Sequence, residues 1–461
     1  MILKQALLGY QSLNDIVIYQ NDNSITLYQL MEDLIYLDKK LPKHKHLLNL
    51  YENRYYFILG LLLGIKRQSI HLFPSNTSAY TFEFLTQEYA EILTLDKTAP
   101  QYKNKGKNKV SHIDIESLLK TKKTATQETV EQYLAIFAND AYYHEDTIII
   151  FTSGSTGTPK PFAKKLSDFI AVAQQLKTQL TLENNPMILA TVPAQHMYGL
   201  ETSIMMPLIN GLSMYEERPF YPDDMARILA KQTHSSLLVT TPIHIRACLK
   251  TQTRLTHLQQ VLCATAPLDE QMAQIFEDEQ EVSLIEIYGC TEVGVIATRR
   301  SAVSQEWICL DDIALVPSSE NLVDIQTNRS INVFTLNDHI SYISNKTFML
   351  HGRKSDMINI AGKRNSLSYL NHHLLNYKHL SDGCFYQPDH LEESQQRLVV
   401  FIVADKHRFS IQDFKHYFKT KVDSVFTPRH FYFVDKLPRN KTGKILHNEI
   451  KSLYQKLSIN N

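Results

Sequence analysis

The chain has 461 residues, 43% hydrophobic and 21% charged, with Lys+Arg and Asp+Glu both at 48. That length exceeds what one hydrophobic core ordinarily organises, so two or more domains are predicted, in a composition typical of soluble globular proteins. Zero formal net charge argues against a whole-protein nucleic-acid or membrane footprint, and no nucleic-acid partner is expected.

Taken from the start, MILKQALLGYQSLND has no sustained apolar stretch followed by a small-residue cleavage site, so no secretory signal is expected. Up to residue 98, helical periodicity in LYQLMEDLIYLDKKL and FILGLLLGI is interleaved with strand-like SIHLFP and EILTL, an α/β pattern. The run YYFILGLLLGI at 55–65 is too short to span a bilayer and predicts a buried helix; no transmembrane segment is expected. Residues 102–128, Lys-rich and poor in apolar side chains, read as a solvated connector.

Between 146 and 300, the runs TIIIFT, MILATVP, SLLVTTP, QVLCATAP and SLIEIYG alternate with helical stretches such as SDFIAVAQQLKTQL and PDDMARILAKQ, which is the spacing of parallel βα units. Residues 331–350 alternate like antiparallel strands, and a separate unit begins after 355, with LVVFIVAD and RHFYFVDKL as strands and FSIQDFKHYFKTKV as a helix. The five cysteines (Cys248, Cys263, Cys290, Cys309, Cys384) are scattered and form no CxxC, which fits a reduced, cytoplasmic setting.

Glycine is sparse, 14 in all, against the usual ~7% of residues. Even so, Gly154, Gly157, Gly289, Gly294, Gly352, Gly362 and Gly443 fall in four short segments: TSGSTGTPK, YGCTEVG, HGRKSDMINIAGKR and LPRNKTGK. In FTSGSTGTPK, residues 151–160, backbone N–H groups, hydroxyls and one ammonium offer what a polyanion needs. A surface loop between strand and helix is the alternative. A Walker P-loop does not fit, because Lys160 lies between Pro159 and Pro161, where that motif needs glycine before the lysine and a hydroxyl after it.

TSGSTGTPK resembles the phosphate-binding signature of the adenylate-forming superfamily, which holds acyl-CoA synthetases, aryl-CoA ligases and adenylation domains. The resemblance continues in order through PAQHMYGLE (193–201), CATAPL (263–268), EIYGCTEVG (286–294), LNDHI (336–340), HGRKSDMINIAGKR and LPRNKTGKI, spanning 151–445. It implies an α/β fold: a large N-terminal domain with parallel-sheet α/β subdomains (1–353) and a small mobile α+β C-terminal lid (354–461). It also implies activation of a small carboxylic acid by ATP and Mg2+ as an acyl-adenylate, with release of pyrophosphate. Transfer to the phosphopantetheine thiol of CoA or of an acyl carrier protein would follow.

Carried over by motif, Thr152, Ser153, Gly154, Ser155, Thr156, Gly157 and Lys160 would hold the leaving pyrophosphate. Lys444 would reach over the carboxylate and the α-phosphate, Thr291 would donate to that phosphate, and Glu292 would bind the metal. Asp338 and Arg353 would take the ribose hydroxyls, with Tyr288, Gly289, Thr265 and Ala266 around the adenine. His196 would orient the acid, in a pocket near Tyr198, Gly199, TTPIHIRA (240–247) and CATAP suited to a medium-sized or aromatic carboxylate. Lys363, with Arg364, would stand at the acceptor entrance.

Residues 356–461 hold 16 Lys+Arg against 10 Asp+Glu, and residues 1–355 hold 32 against 38, so the two parts carry opposite charge. The chain departs from the family pattern at Ser355, at the hinge position, at Pro161, and in lacking a glycine-rich segment between 301 and 335. An enzyme that stops at the acyl-adenylate or loads another nucleophile, and a silent nucleotide- or carrier-binding homologue, are the alternatives.

Overall fold

The computed structural model describes residues 7–97, 110–120, 127–139, 143–153, 159–180, 182, 184–318, 323–329, 333–336, 338–353, 357–360, 363–388, 398–405, 407–439, 445 and 447–458. The N-terminal part alternates strands and helices: β1 (Ile16–Tyr19), β2 (Ser24–Thr26), α1 (Leu27–Lys40), β3 (His46–Asn49), α2 (Arg54–Arg67), β4 (Ile70–Phe73), α3 (Ala79–Glu88), β5 (Ile92–Leu95), β6 (Val110–Ile113), α4 (Ile115–Leu119), α5 (Gln127–Ile136), β7 (Asp146–Ser153) and β8 (Pro159–Lys165). Helix α1 starts at a capping box of Thr26 and Gln29. In α2, Asn53 accepts from the N–H groups of Tyr55 and Tyr56, and the apolar run it opens is buried nearly all round, as its sequence predicts.

Six strands form one sheet in the order β6-β5-β3-β4-β7-β8, parallel except for the β7–β8 hairpin. One expectation and one alternative reading are corrected here. The Lys-rich stretch is not wholly a connector: Val110–Ile113 pairs in parallel with β5 as an edge strand, its main chain completing the ladder that β5 leaves open. The candidate phosphate loop joins two antiparallel strands instead of a strand and a helix, and the next helix starts only at Leu166.

The chain continues through α6 (Leu166–Leu180), β9 (Met187–Ala190), α7 (Met197–Leu200), a π-helical turn (Glu201–Met205), α8 (Met206–Asn210), β10 (Met214–Tyr215), α9 (Pro222–Ala230), β11 (Ser236–Thr240), α10 (Pro242–Thr251), β12 (Leu258–Cys263), α11 (Glu270–Gln280) and β13 (Ser283–Cys290). Strands β14 (Gly294–Arg299), β15 (Glu306–Cys309), β16 (Ile313–Pro317), β17 (Val323–Thr327), β18 (Phe334–Thr335), β19 (Asp338–Tyr342) and β20 (Thr347–Arg353) follow. An 11-stranded sheet results, ordered β19-β20-β15-β14-β13-β12-β11-β9-β10-β1-β2. Its centre, β9 to β13, is parallel, as the βα spacing predicts, and antiparallel hairpins extend it on the far side.

The small C-terminal domain holds β21 (Met357–Ile360), β22 (Lys363–Ser366), α12 (Leu367–Leu375), β23 (Asp382–Tyr386), β24 (Val399–Val403), α13 (Ile411–Lys421), β25 (His430–Phe433) and α14 (His447–Ser458). A core of its own, from Ile358 to Phe426, packs Phe385, Val400, Phe414 and Phe418 between sheet and helices. The α/β architecture with a large N-terminal and a smaller α+β C-terminal domain is therefore as the sequence predicts. Among the described residues, no helix is long and apolar enough to cross a membrane.

Candidate active site

Three of the motifs, PAQHMYGLE, CATAPL and EIYGCTEVG, lie at the C-terminal ends of β9, β12 and β13, where open parallel sheets bind ligands. Just past β12, Thr265 has φ of 83°, a left-handed conformation that a β-branched residue adopts only when its surroundings enforce it. It is exposed there, next to Ala266.

Strands β13 and β14 pair Gly289 with Val295 and Cys290 with Gly294, which leaves Thr291, Glu292 and Val293 as the turn of a hairpin. A Cβ on Gly289 would lie 2.5 Å from the Gly294 carbonyl oxygen, so only glycine permits this approach. Thr291 and Glu292 are half-buried at the tip.

One strand position back, the Tyr288 hydroxyl donates to Asp338 Oδ2. The Tyr288 ring lies with its centroid 5.6 Å from Trp307 and 5.5 Å from Phe348. Asp338 in turn stands opposite Arg353 in the β19–β20 register. Tyr288, Asp338 and the Arg353 backbone are thus brought together; the Arg353 side chain lies outside the described residues.

In the β7–β8 hairpin, Thr152 stands opposite Lys160 and Ser153 opposite Pro159. Lys160 is exposed, its Nζ 5.1 Å from the Phe162 ring centroid. Gly154, Ser155, Thr156 and Gly157 lie outside the described residues, as does Lys444. The neck of the lysine loop is described: Arg439 bridges to Ile445, and its guanidinium pairs with Asp382 at 2.6 Å.

His196 occupies the N-cap position of α7, with its main chain turned over Pro193. Two residues of the expected acid pocket are engaged in packing. The Tyr198 hydroxyl lies 3.2 and 3.0 Å from the carbonyls of Thr240 and Leu262, and a Cβ on Gly199 would meet the Pro193 carbonyl oxygen at 2.0 Å. Lys363 is exposed and pairs with Asp423 within its own domain.

Sequence reading missed several residues that shape this region. Arg54, fully buried, donates to the Ala190, Val192 and Glu217 carbonyls at 3.1, 2.8 and 3.0 Å, fixing the chain that leads to His196. Lys164, Glu201 and Arg329 are buried beneath the Thr291–Val293 turn. Burial pushes the Glu201 carboxyl up to about 7, against the pull of Arg329 and Lys164, and pushes the Lys164 ammonium down. A carboxylate inside the apolar helix HMYGLETSIMM was the available signal for Glu201.

Among the described residues, no group of three or more His, Cys, Asp or Glu could hold a metal ion. A single carboxylate on a fixed turn, Glu292, fits a magnesium ion that arrives with phosphate oxygens as its other ligands.

The sequence model of the AMP-binding enzyme family matches residues 77–317, more than half of the chain. A 4-coumarate–CoA ligase of Halorhodospira halophila is 25% identical over 66% of this chain and 76% of its own. A 2-succinylbenzoate–CoA ligase of Listeria monocytogenes is 26% identical over 67% of this chain and 70% of its own. The fold is similar to that of O-succinylbenzoate coenzyme A synthetase from Bacillus subtilis, solved with ATP and magnesium ion, at a TM-score of 0.78 and 16% identity over 95% of this chain and 97% of that one. The order of motifs, the hairpins that present them and the family match agree: this chain belongs to the AMP-binding enzyme family.

Proposed function

We propose that the chain is an AMP-forming acid:thiol ligase, which joins a carboxylic acid to the α-phosphate of ATP and passes the acyl group to a phosphopantetheine thiol. The observation that carries this reading is that one sheet presents the Thr291–Glu292 turn between β13 and β14 and brings Tyr288 of β13 into a hydrogen bond with Asp338 of β19. The CoA ligases among its relatives support it.

In this reading the tip of the β7–β8 hairpin, with Ser153, Ser155, Thr156 and Lys160, receives the β- and γ-phosphates as preorganised donors. Thr291 donates to the α-phosphate. A magnesium ion at Glu292 and the phosphate oxygens would neutralise charge that otherwise repels the incoming carboxylate. Asp338 and Arg353 hold the ribose, and Tyr288 with the strained Thr265–Ala266 segment flanks the adenine. His196 orients the acid, and Lys444 stabilises charge on both reacting groups in the transition state.

The domain boundary is proposed at 353/354, supported by the end of β20 at Arg353 and the separate core that starts at Ile358. The five unpaired cysteines support a cytoplasmic setting. The thiol is carried by CoA or by an acyl carrier protein, at a surface to which Lys363 and Arg364 contribute. The acid is a medium-sized or aromatic carboxylate.

Product analysis tests the proposal. With ATP, magnesium and a panel of benzoate-like and medium-chain acids, AMP and an acyl thioester are expected in equal amounts when CoA or a phosphopantetheinylated carrier protein is present. AMP release without thioester for every acceptor would overturn the ligase reading, and exclusive use of acids with long alkyl chains would overturn the acid class.

A further inference from the structure

The Thr291–Val293 turn rests on ionic side chains from distant parts of the chain. Lys164, 6% exposed, donates from Nζ to the Glu292 carbonyl oxygen. Glu201, 3% exposed, accepts from the Val295 N–H at 3.3 Å. A Cβ on Gly294 would lie 2.4 Å from Glu201 Oε1, so the glycine is what admits the carboxylate. Arg329 donates from Nη1 to the Val295 carbonyl at 2.7 Å and lies 3.4 Å from that of Val293, while its Nε and Nη2 pair with Asp312 at 2.5 and 2.6 Å.

The arrangement has a direction. Main-chain groups of Glu292, Val293 and Val295 are held from inside the protein, which leaves the Thr291 and Glu292 side chains at the half-buried tip. Glu201 opens a π-helical turn, a local departure from α geometry that often marks functional sites. Lys164 also shares a strand with Lys160, four residues earlier on the same face of β8. One buried ammonium therefore joins the strand of the phosphate hairpin to the turn of the metal carboxylate.

We infer that Lys164, backed by Glu201 and Arg329, is a positioning residue that sets the Glu292 carboxylate for magnesium nucleotide and locks its height relative to the phosphate hairpin. The inference rests on the ligase reading above, which supplies the role of Glu292. Lys164 touches no reacting atom. Its effect passes through the Glu292 carbonyl, in the way that groups behind a metal ligand orient that ligand.

Calorimetric binding of ATP to the full chain, with and without magnesium chloride, tests it, together with magnesium titration of acid-dependent pyrophosphate exchange. Lys164→Met is expected to bind metal-free ATP as the natural chain does, to need about tenfold or more magnesium for half-maximal exchange, and to lose a similar factor from magnesium-linked ATP affinity. Lys164→Arg, which restores a donor, is expected to recover most of the loss. A folded Lys164→Met with a natural magnesium response overturns the inference. Should Lys164→Met fail to fold, Glu201→Gln, which keeps an acceptor for Val295 and replaces the ionisable carboxyl beside the lysine, is expected to weaken the magnesium response in the same direction; an unchanged response overturns the inference. A natural chain whose ATP binding ignores magnesium overturns both the inference and the ligase reading, whereas a magnesium-responsive natural chain with unaltered variants overturns the inference alone.

Discussion

His71 and His244 are buried, and burial pushes both imidazoles down to about 4. His71 stacks on Phe73, its ring against Gly64. An unfolded histidine takes up its proton near pH 6.5, whereas these wait until about pH 4. The unfolded state therefore binds more protons in that window, and the stability they contribute is complete above pH 6.5 and lost as the pH falls toward 4. Each histidine accounts for up to about 3 kcal/mol of that loss. His71→Leu is expected to flatten the fall of the urea midpoint between pH 7 and pH 5; an unchanged slope would show that His71 takes up its proton over the same pH range in the folded chain as in the unfolded one. At this scale the sequence singled out Asp338 and Tyr288 by motif, whose side chains the structure brings together. It was silent on Lys164 and Arg54, because their carbonyl partners lie 128 and up to 163 residues away.

The β13–β14 hairpin shows what an element contributes beyond its residues. Gly294 has φ of 90° and no room for a Cβ beside Glu201. Gly294→Ala is therefore expected to destabilise by about 1–3 kcal/mol from backbone strain alone and to raise the KM for magnesium ATP, because the displaced carboxylate is the one that holds Val295. A denaturant midpoint equal to that of the natural chain would refute the geometry. Period and turn chemistry made most central elements readable: β9, β11, β12 and β13 stand where short apolar runs predict them. The β7–β8 hairpin was not readable as such, because PKPFAKK, with three lysines and two prolines, carries a weak strand signal that only pairing with the buried β7 overrides. Residues 110–113 were hidden in the same way by the lysines around them.

For the whole molecule, residues 356–461 carry 16 basic against 10 acidic side chains, and the remainder carries 32 against 38. This opposition favours contact between the two parts, and the Asn376 side chain donates across it to Asp269 at 3.2 Å. The same positive surplus would attract a phosphate-bearing or acidic acceptor. Lys363→Glu with Arg364→Glu is expected to slow thioester formation about tenfold or more while leaving pyrophosphate exchange nearly intact. Equal loss of both half-reactions would move the pair to folding or domain docking; for folding, the Lys363–Asp423 contact within the C-terminal domain gives a physical basis. The two-domain plan was legible from the switch in strand pattern after residue 355 and the glycine-marked segments. The identity of the acid was not, because the pocket proposed for it would be lined from separate segments, and the Tyr198 hydroxyl among them is taken up by the carbonyls of Thr240 and Leu262. The central claim is adenylation assisted by Lys444, and acid-dependent exchange of labelled pyrophosphate into ATP measures it most directly. The natural chain is expected to exchange only when a suitable acid is present, and Lys444→Ala is expected to lose at least ~10²-fold while still binding ATP. Absence of acid-dependent exchange across the panel, or exchange undiminished in Lys444→Ala, would contradict it.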